Sequence, residues 1–225
     1  MKVVEYFGPR IAKAKITKEE CQELLQLCYE SNLPAGQRLL GNVREQKGIT
    51  KGMLNSKVYH TINANMERYI KEIDSGMWEP IMGSDEIDSY LEMTEAWYNK
   101  QTNMEYSVPH NHNRSCDLVC VIFPKVELDN NVEFFNTNSN FNQVGQLLLS
   151  YGEDIKNEFG RSLIQIHPEE GDMIIFPSST VHYTNTVLGN SIRYSVSCNY
   201  VFNSNAFRIL QKYFKKQKNE IWKDK

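Results

Sequence analysis

The chain has 225 residues, of which 40% are hydrophobic and 24% are charged, and its net charge at pH 7 is −3. This near-neutral balance excludes a strongly basic surface, so nucleic acid is not expected as a partner. The sequence contains no apolar run of about 18 residues, so no membrane span is expected. We expect one domain over residues 1–225, large enough to bury a core without disulfides or a structural metal.

The cysteines indicate the compartment in which the protein works. Their number is odd, and no two of them form a C-x-x-C pair, which favours reduced thiols and a cytoplasmic location. Their spacing relative to the histidines offers no tetrahedral zinc pattern. The five cysteines are Cys21, Cys28, Cys116, Cys120 and Cys198.

The first 84 residues are predicted to form a helical support region. Residues 1–10 are β-prone and are expected to be extended. Residues 17–31 predict a helix, because T-K-E-E is a capping box and is followed by a leucine-rich stripe. Residues 57–75 predict a second helix, because apolar side chains recur there on one side.

From about residue 85 the pattern changes to short β-branched and aromatic runs separated by Asn, Asp, Gly and Pro. Many short strands with few helices between them predict a mainly β barrel or jelly roll over residues 85–202. A short helix is expected within 142–158, and a C-terminal helix is expected over 203–225. The candidate strands are 90–99, 104–110, 117–124, 132–135, 162–167, 172–177, 181–187 and 191–202.

A histidine pair stands at the end of one candidate strand, in the segment "PHNHNRSCDLVCVIFP". Because alternate residues of a strand point to the same side, His110 and His112 can direct both imidazoles into one space. The alternative is a polar pair that flanks a turn. The turn before the strand 181–187 would bring a third histidine, His182, to the mouth of the same barrel.

The last strand, "SIRYSVSCNYVF", alternates in polarity. Its polar face is either a plain solvent face or the wall of a wet, inward-facing pocket. An arginine offers a planar fork for a carboxylate, and a serine two residues on can add a hydroxyl to the same oxygens. The polar face carries Arg193, Ser195, Ser197 and Asn199.

These motifs resemble the Fe(II)/2-oxoglutarate-dependent oxygenases, and in particular an oxygenase group of phage and marine bacterial genomes. The resemblance covers about residues 95–202, and it implies a double-stranded β-helix (a jelly roll or cupin-like barrel) with flanking terminal helices. The pieces that carry it are Trp97-Tyr98-Asn99, His110-Asn111-His112, "LVCVIFP", "PEEGDMIIFPSSTVH" and "RYSVSCN".

The resemblance implies a chemistry and roles for residues. Fe(II) would be bound by His110 and His182, and 2-oxoglutarate would pair through its far carboxylate with Arg193 and Ser195. Dioxygen and a substrate would complete the reaction, with hydroxylation and release of succinate and CO2 as the default outcome. Asn99, Tyr106 and Asn199 are expected to line the co-substrate pocket, whereas Trp97 and Tyr98 are expected in the core.

The sequence departs from the superfamily at the third metal ligand, where a carboxylate is usual two residues after the first histidine. Three interpretations are open at this point. His112 itself binds and makes a three-histidine site, or Asp117 reaches back across the turn to complete the triad, or only two histidines bind and water fills the remaining position.

Two other functions remain open at this stage. A cupin-type metal dioxygenase or isomerase uses a similar barrel and a histidine pair followed by an acid, which His110, His112 and Asp117 imitate, but it has no need of Arg193 and Ser195. A non-catalytic barrel protein would bind metal weakly or not at all. Whichever function holds, a homodimer is possible, and an exposed apolar face on the terminal helices would be the first place to look for it.

Overall fold

The computed structural model describes residues 8–35, 41–73, 90–129, 144–152 and 162–203. This part of the chain contains three helices, of which none is long and apolar enough to cross a membrane. The helices are α1 (Lys18–Glu30), α2 (Thr50–Leu54) and α3 (Val58–Ile73). The strands are β1 (Ala12–Lys15), β2 (Leu33–Pro34), β3 (Gly41–Asn42), β4 (Glu45–Gly48), β5 (Leu91–Gln101), β6 (Glu105–His110), β7 (Leu118–Glu127), β8 (Leu147–Ser150), β9 (Leu163–Ile166), β10 (Asp172–Pro177), β11 (Val181–Val187) and β12 (Ile192–Phe202).

The strands form two antiparallel sheets that do not close into one continuous barrel. The larger sheet has the order β1-β10-β7-β12-β5-β4-β2, and the smaller has the order β3-β6-β11-β8-β9. Neighbours that are far apart in sequence, such as β12 beside both β5 and β7, give the sheets their jelly-roll connectivity. The prediction of a mainly β jelly roll is confirmed.

The side chains of strand β7 show that the larger sheet is buried on both faces. Leu118, Cys120 and Ile122 belong to the core that the helices share with this sheet. The alternate residues Val119, Val121 and Phe123 belong to a second core, which contains Leu147 and Leu149 of the smaller sheet. A strand covered on both faces reads as a continuous apolar run, and the segment "LVCVIFP" has this pattern.

The helices cover the outer face of the larger sheet. The Thr17 side chain accepts a hydrogen bond from Glu20 N, and the Glu20 side chain accepts one from Thr17 N, so the predicted capping box starts α1. Helix α1 then buries Cys21, Leu24 and Cys28. Helix α3 buries an apolar stripe that includes Ile62 and Met66.

Several sequence predictions about elements need correction. The helix expected within 142–158 is wrong over residues 147–150, which form β8 and pair with β9 and β11. The short elements β1 to β4 and α2 were not predicted, because two to five residues carry too little periodicity. The candidate strand 132–135 and the C-terminal helix 203–225 lie outside the described residues, apart from residue 203.

Candidate active site

Three imidazoles converge where the ends of two strands meet. His110 ends β6, and it lies directly opposite His182 of β11 in the strand register. His112 lies two residues past His110, and its backbone N–H donates to the carbonyl of Ser178 at 2.8 Å. One ring nitrogen from each histidine lies within 4.8 Å of the other two. The ring centroids are 4.3–5.3 Å apart.

The other ring nitrogen of each histidine has an oxygen partner. His110 Nδ1 lies 2.7 Å from the carbonyl oxygen of Val108, and His182 Nδ1 lies 3.0 Å from that of Thr180. His112 Nδ1 lies 2.8 Å from Oδ1 of Asn199. Because a carbonyl oxygen only accepts, each Nδ1 carries the proton and each Nε2 is unprotonated. The cluster therefore presents three nitrogen donors of the kind that bind metals.

The most buried of these histidines is held neutral. Burial, and then the nearby imidazoles of His110 and His112, lower the pKa of His182 to about 3, although the Thr180 carbonyl acts in the opposite direction. A metal binds the neutral imidazole, so this environment keeps His182 ready as a ligand at neutral pH.

Asp117, the alternative third ligand, lies elsewhere. Its Oδ2 accepts a hydrogen bond from the backbone N–H of Phe202 at 2.8 Å, and its own backbone N–H donates to Tyr200. The carboxylate therefore caps the end of β12 and is not part of the histidine cluster. The structure thus places Asp117, the alternative third ligand, apart from the three histidines.

A cavity of about 690 Å³ extends from the histidines between the two sheets. Cavities of this size hold small molecules. Its walls combine the apolar side chains of Val121, Phe123 and Leu147 with polar side chains from β5, β11 and β12.

Arg193 lies in the cavity wall and is only 1% exposed. Its Nη1 donates to the carbonyl of Gly145 at 2.7 Å, and its Nη2 donates to Oε1 of Gln101, whereas its Nε has no partner. Burial lowers the pKa of Arg193 to about 9. No acidic side chain in the described ranges forms an ion pair with it. Within the described part of the chain, the site thus contains a buried cation without a carboxylate partner.

The other predicted pocket residues separate into two groups. Ser195 and Asn99 are direct register partners, and both line the cavity. Asn199 also lines it, but at the histidine end. Tyr106, which we expected in the pocket, is 40% exposed and is not among the lining residues, because neighbouring residues of β6 face opposite sides and Ser107 takes the inner one.

Strand β5 contributes residues that the sequence reasoning missed. Trp97, expected in the core, lines the cavity with its ring 5.6 Å from that of His112, whereas Tyr98 is buried in the core as expected. Glu95 and Gln101 also line the cavity. The available signal was the alternation of polar side chains at 95, 99 and 101, which matches the alternation of β12.

Comparisons with known proteins give one family and a set of solved structures. A family model described as "Putative 2OG-Fe(II) oxygenase" matches residues 95–199, which include the three histidines and Arg193. No curated protein matches the sequence.

Two solved structures share the fold over most of their length. A Pseudomonas putida prolyl-4-hydroxylase is 13% identical, with 86% of this chain and 93% of that chain covered and a TM-score of 0.53. A viral collagen prolyl hydroxylase from Paramecium Bursaria Chlorella virus-1 is 13% identical, with 84% and 94% covered and a TM-score of 0.53. The chain spans 44% of a Burkholderia pseudomallei protein of the 2OG-Fe(II) oxygenase family, at 17% identity over 49% of this chain and a TM-score of 0.36.

Proposed function

We propose that this chain, whose residues 95–199 match a family model of 2OG-Fe(II) oxygenases, is a non-haem Fe(II)- and 2-oxoglutarate-dependent oxygenase whose metal is held by His110, His112 and His182. The observation that carries the proposal is the convergence of three unprotonated Nε2 atoms at one end of a cavity whose wall contains a buried arginine with no acidic partner among the described residues. A barrel needs neither feature for its stability, because burying imidazoles and a guanidinium is costly compared with burying apolar side chains.

The histidine cluster fits Fe(II). Imidazole nitrogens suit iron, and three ligands from one side of the metal leave positions open for other ligands. Three neutral ligands leave the 2+ charge of the metal uncompensated, so the site favours an anionic chelator such as a 2-oxo acid.

Arg193 and Ser195 fit the far carboxylate of 2-oxoglutarate. Arg193 Nε has no partner, and the hydroxyl of Ser195 projects from the same face of β12 two residues on. A carboxylate at this position would neutralise the buried guanidinium and accept charge-assisted hydrogen bonds from it. Asn99, held by Gln46 Nε2 at 2.7 Å, would line the space between the two ends.

Bound Fe(II) and 2-oxoglutarate supply the oxidising power, because dioxygen is consumed as the 2-oxo acid is converted to succinate and CO2 and one oxygen atom is inserted into a substrate C–H bond. The chain itself contributes orientation and exclusion of water. The hydrogen bonds at Nδ1 fix the three imidazole planes. Val121 and Phe123 provide an apolar wall, which limits the access of water to the reacting groups.

The deciding experiment is the anaerobic addition of 2-oxoglutarate to the Fe(II)-loaded protein. Chelation by the 2-oxo acid should produce a visible charge-transfer absorption band that succinate does not produce. A protein that binds one Fe(II) but shows no band with 2-oxoglutarate would contradict the proposal and favour cupin chemistry. An iron content near zero that cannot be restored with Fe(II) would favour a non-catalytic barrel.

Further aspects of the biology belong to the same proposal. A cytoplasmic location, which would be the host cytoplasm for a phage gene, agrees with the five cysteines, all of them free and buried. A small molecule or a protein side chain is a more suitable substrate than nucleic acid at a net charge of −3. Light scattering of the full chain tests for a homodimer.

A further inference from the structure

Two hydrogen bonds in series connect His112, through Asn199, to the carboxylate of Glu95. His112 Nδ1 lies 2.8 Å from Asn199 Oδ1, and Asn199 Nδ2 donates to Glu95 Oε2 at 3.2 Å. We propose that Glu95, acting through Asn199, is a positioning residue that supplies His112 with the negative charge a carboxylate ligand would otherwise bring to the metal. This inference rests on the proposed function, because it requires His112 to be a metal ligand.

The carboxylate of Glu95 determines which group donates and which accepts in these two hydrogen bonds. An ionised carboxylate only accepts hydrogen bonds, so the NH2 group of Asn199 must face Glu95. The amide oxygen of Asn199 must then face His112, whose Nδ1 must donate. Glu95 therefore determines which nitrogen of His112 carries the proton, so that Nε2 is the unprotonated nitrogen that can bind a metal.

The larger sheet holds Asn199 and Glu95, the two residues behind His112, in place. Glu95 on β5 and Asn199 on β12 are direct partners in the antiparallel register. Asn199 is 1% exposed, and the Oγ1 of Thr94 donates to its backbone carbonyl at 3.3 Å. The side chains therefore meet on a rigid element and not on a loop.

His112 differs in this respect from the other two histidines. The Nδ1 atoms of His110 and His182 are satisfied by neutral backbone carbonyls, those of Val108 and Thr180. Among the three imidazoles, the connection to a carboxylate through a side-chain amide thus belongs to the one that occupies the position of the usual carboxylate. A carboxylate behind a metal-bound imidazole raises the basicity of the ligand, and loss of such a partner weakens metal affinity by about 10- to 100-fold.

The test measures anaerobic Fe(II) affinity and the position of the charge-transfer band with 2-oxoglutarate. Glu95→Gln keeps the shape of the side chain and removes its charge, so we expect Fe(II) affinity to fall by about tenfold or more and the band to shift. The matched control is Glu92→Gln on the same strand, because Glu92 is exposed and outside the cavity lining. Wild-type affinity and band position in Glu95→Gln would overturn the inference.

A charge-swapped double variant separates this role from a merely structural one. In Glu95→Gln combined with Asn199→Asp, the new carboxylate accepts directly from His112, and the new amide donates to that carboxylate. We expect Fe(II) affinity to return to the wild-type value or above it. Affinity that remains as low as in Glu95→Gln, with an unchanged melting temperature of the metal-free protein, would contradict the inference.

Failure of the inference about Glu95 can be distinguished from failure of the proposed function. If the wild-type protein binds no Fe(II), or shows no band with 2-oxoglutarate, the proposed function fails and this inference fails with it. If the wild type gives the band and Glu95→Gln behaves like the wild type, only the inference about Glu95 fails.

Discussion

The two faces of β12 are equally buried but differ in what they contain. One face presents Arg193, Ser195, Ser197 and Asn199, which are 1–8% exposed and line the cavity. The other presents Tyr194, Val196, Cys198 and Tyr200, which are 0–5% exposed and pack in the core shared with the helices.

The difference shows how one strand divides function from stability. The helix-side residues bury apolar surface, which stabilises the fold. The cavity-side residues place polar groups in a buried space, which is unfavourable unless partners satisfy them. Substitutions on the two faces should therefore have separable consequences, and the following predictions are arranged from the largest expected effect to the smallest.

Arg193→Met should have the largest effect on the cavity side. It removes the charge that is proposed to bind the far carboxylate of 2-oxoglutarate, at a cost of about 2–3 kcal/mol, or roughly 30- to 150-fold in affinity. The melting temperature of the ligand-free protein should change by less than about 3 °C, because relief of a buried charge without an acidic partner among the described residues offsets the loss of its hydrogen bonds to Gly145 and Gln101.

Titration of the Fe(II) protein with 2-oxoglutarate under anaerobic conditions gives the affinity. Arg193→Lys is the control that keeps the charge but loses the planar fork, and it should fall between the wild type and Arg193→Met. Equal affinities in all three proteins would mean that Arg193 does not bind the co-substrate.

Val196→Ala should have the largest effect on the helix side. Val196 is 0% exposed, so the loss of two methyl groups and the resulting cavity should lower the free energy of unfolding by about 2 kcal/mol. Urea denaturation measures this change. The affinity for 2-oxoglutarate should stay within about twofold, and a large loss of affinity would show that the two faces are coupled.

Tyr200→Phe tests a polar contact between the helix side of β12 and α3. The hydroxyl of Tyr200 donates to Asn63 Oδ1 at 2.9 Å, and Asn63 is 5% exposed. Removal of the Tyr200 hydroxyl should lower the free energy of unfolding by about 1–2 kcal/mol, because the buried amide of Asn63 loses a partner. Thermal and urea denaturation should agree, with Fe(II) and 2-oxoglutarate affinities unchanged.

Ser195→Ala should produce the smallest effect, and only on the cavity side. A single neutral hydroxyl contributes about 1 kcal/mol to binding, so the affinity for 2-oxoglutarate should fall by roughly fivefold. Ser197→Ala is the matched control, because Ser197 lies on the same face two residues farther from Arg193. If the two variants lose the same affinity, Ser195 has no special role in holding the carboxylate.

Part of the site was predictable because it depends on strand periodicity. The sequence predicted that His110 and His112 share a side and that Arg193, Ser195 and Asn199 share a face, and the structure places each set together. It did not predict the contribution of Trp97 or Glu95, because both stand on a strand whose polar alternation is interrupted by aromatic residues.

The choice between His112 and Asp117 shows what periodicity leaves open. The two residues are separated by a turn, and their spacing allowed either to approach the metal. The structure ties Asp117 to Phe202 and ties His112 to Asn199, which lies 87 residues away in the chain. These contacts depend on the arrangement of β12 beside β7 and β5, which no local pattern encodes.

The sequence by itself determined the jelly-roll class, the capped first helix and the residues that share each strand face, because these features follow from local periodicity and capping chemistry. Only the tertiary structure decided that the polar face of β12 looks into a cavity, that β8 replaces a helix, and that a carboxylate stands behind His112. The physical reason is that periodicity assigns side chains to a face, whereas the environment of that face is set by strands and helices distant in the chain.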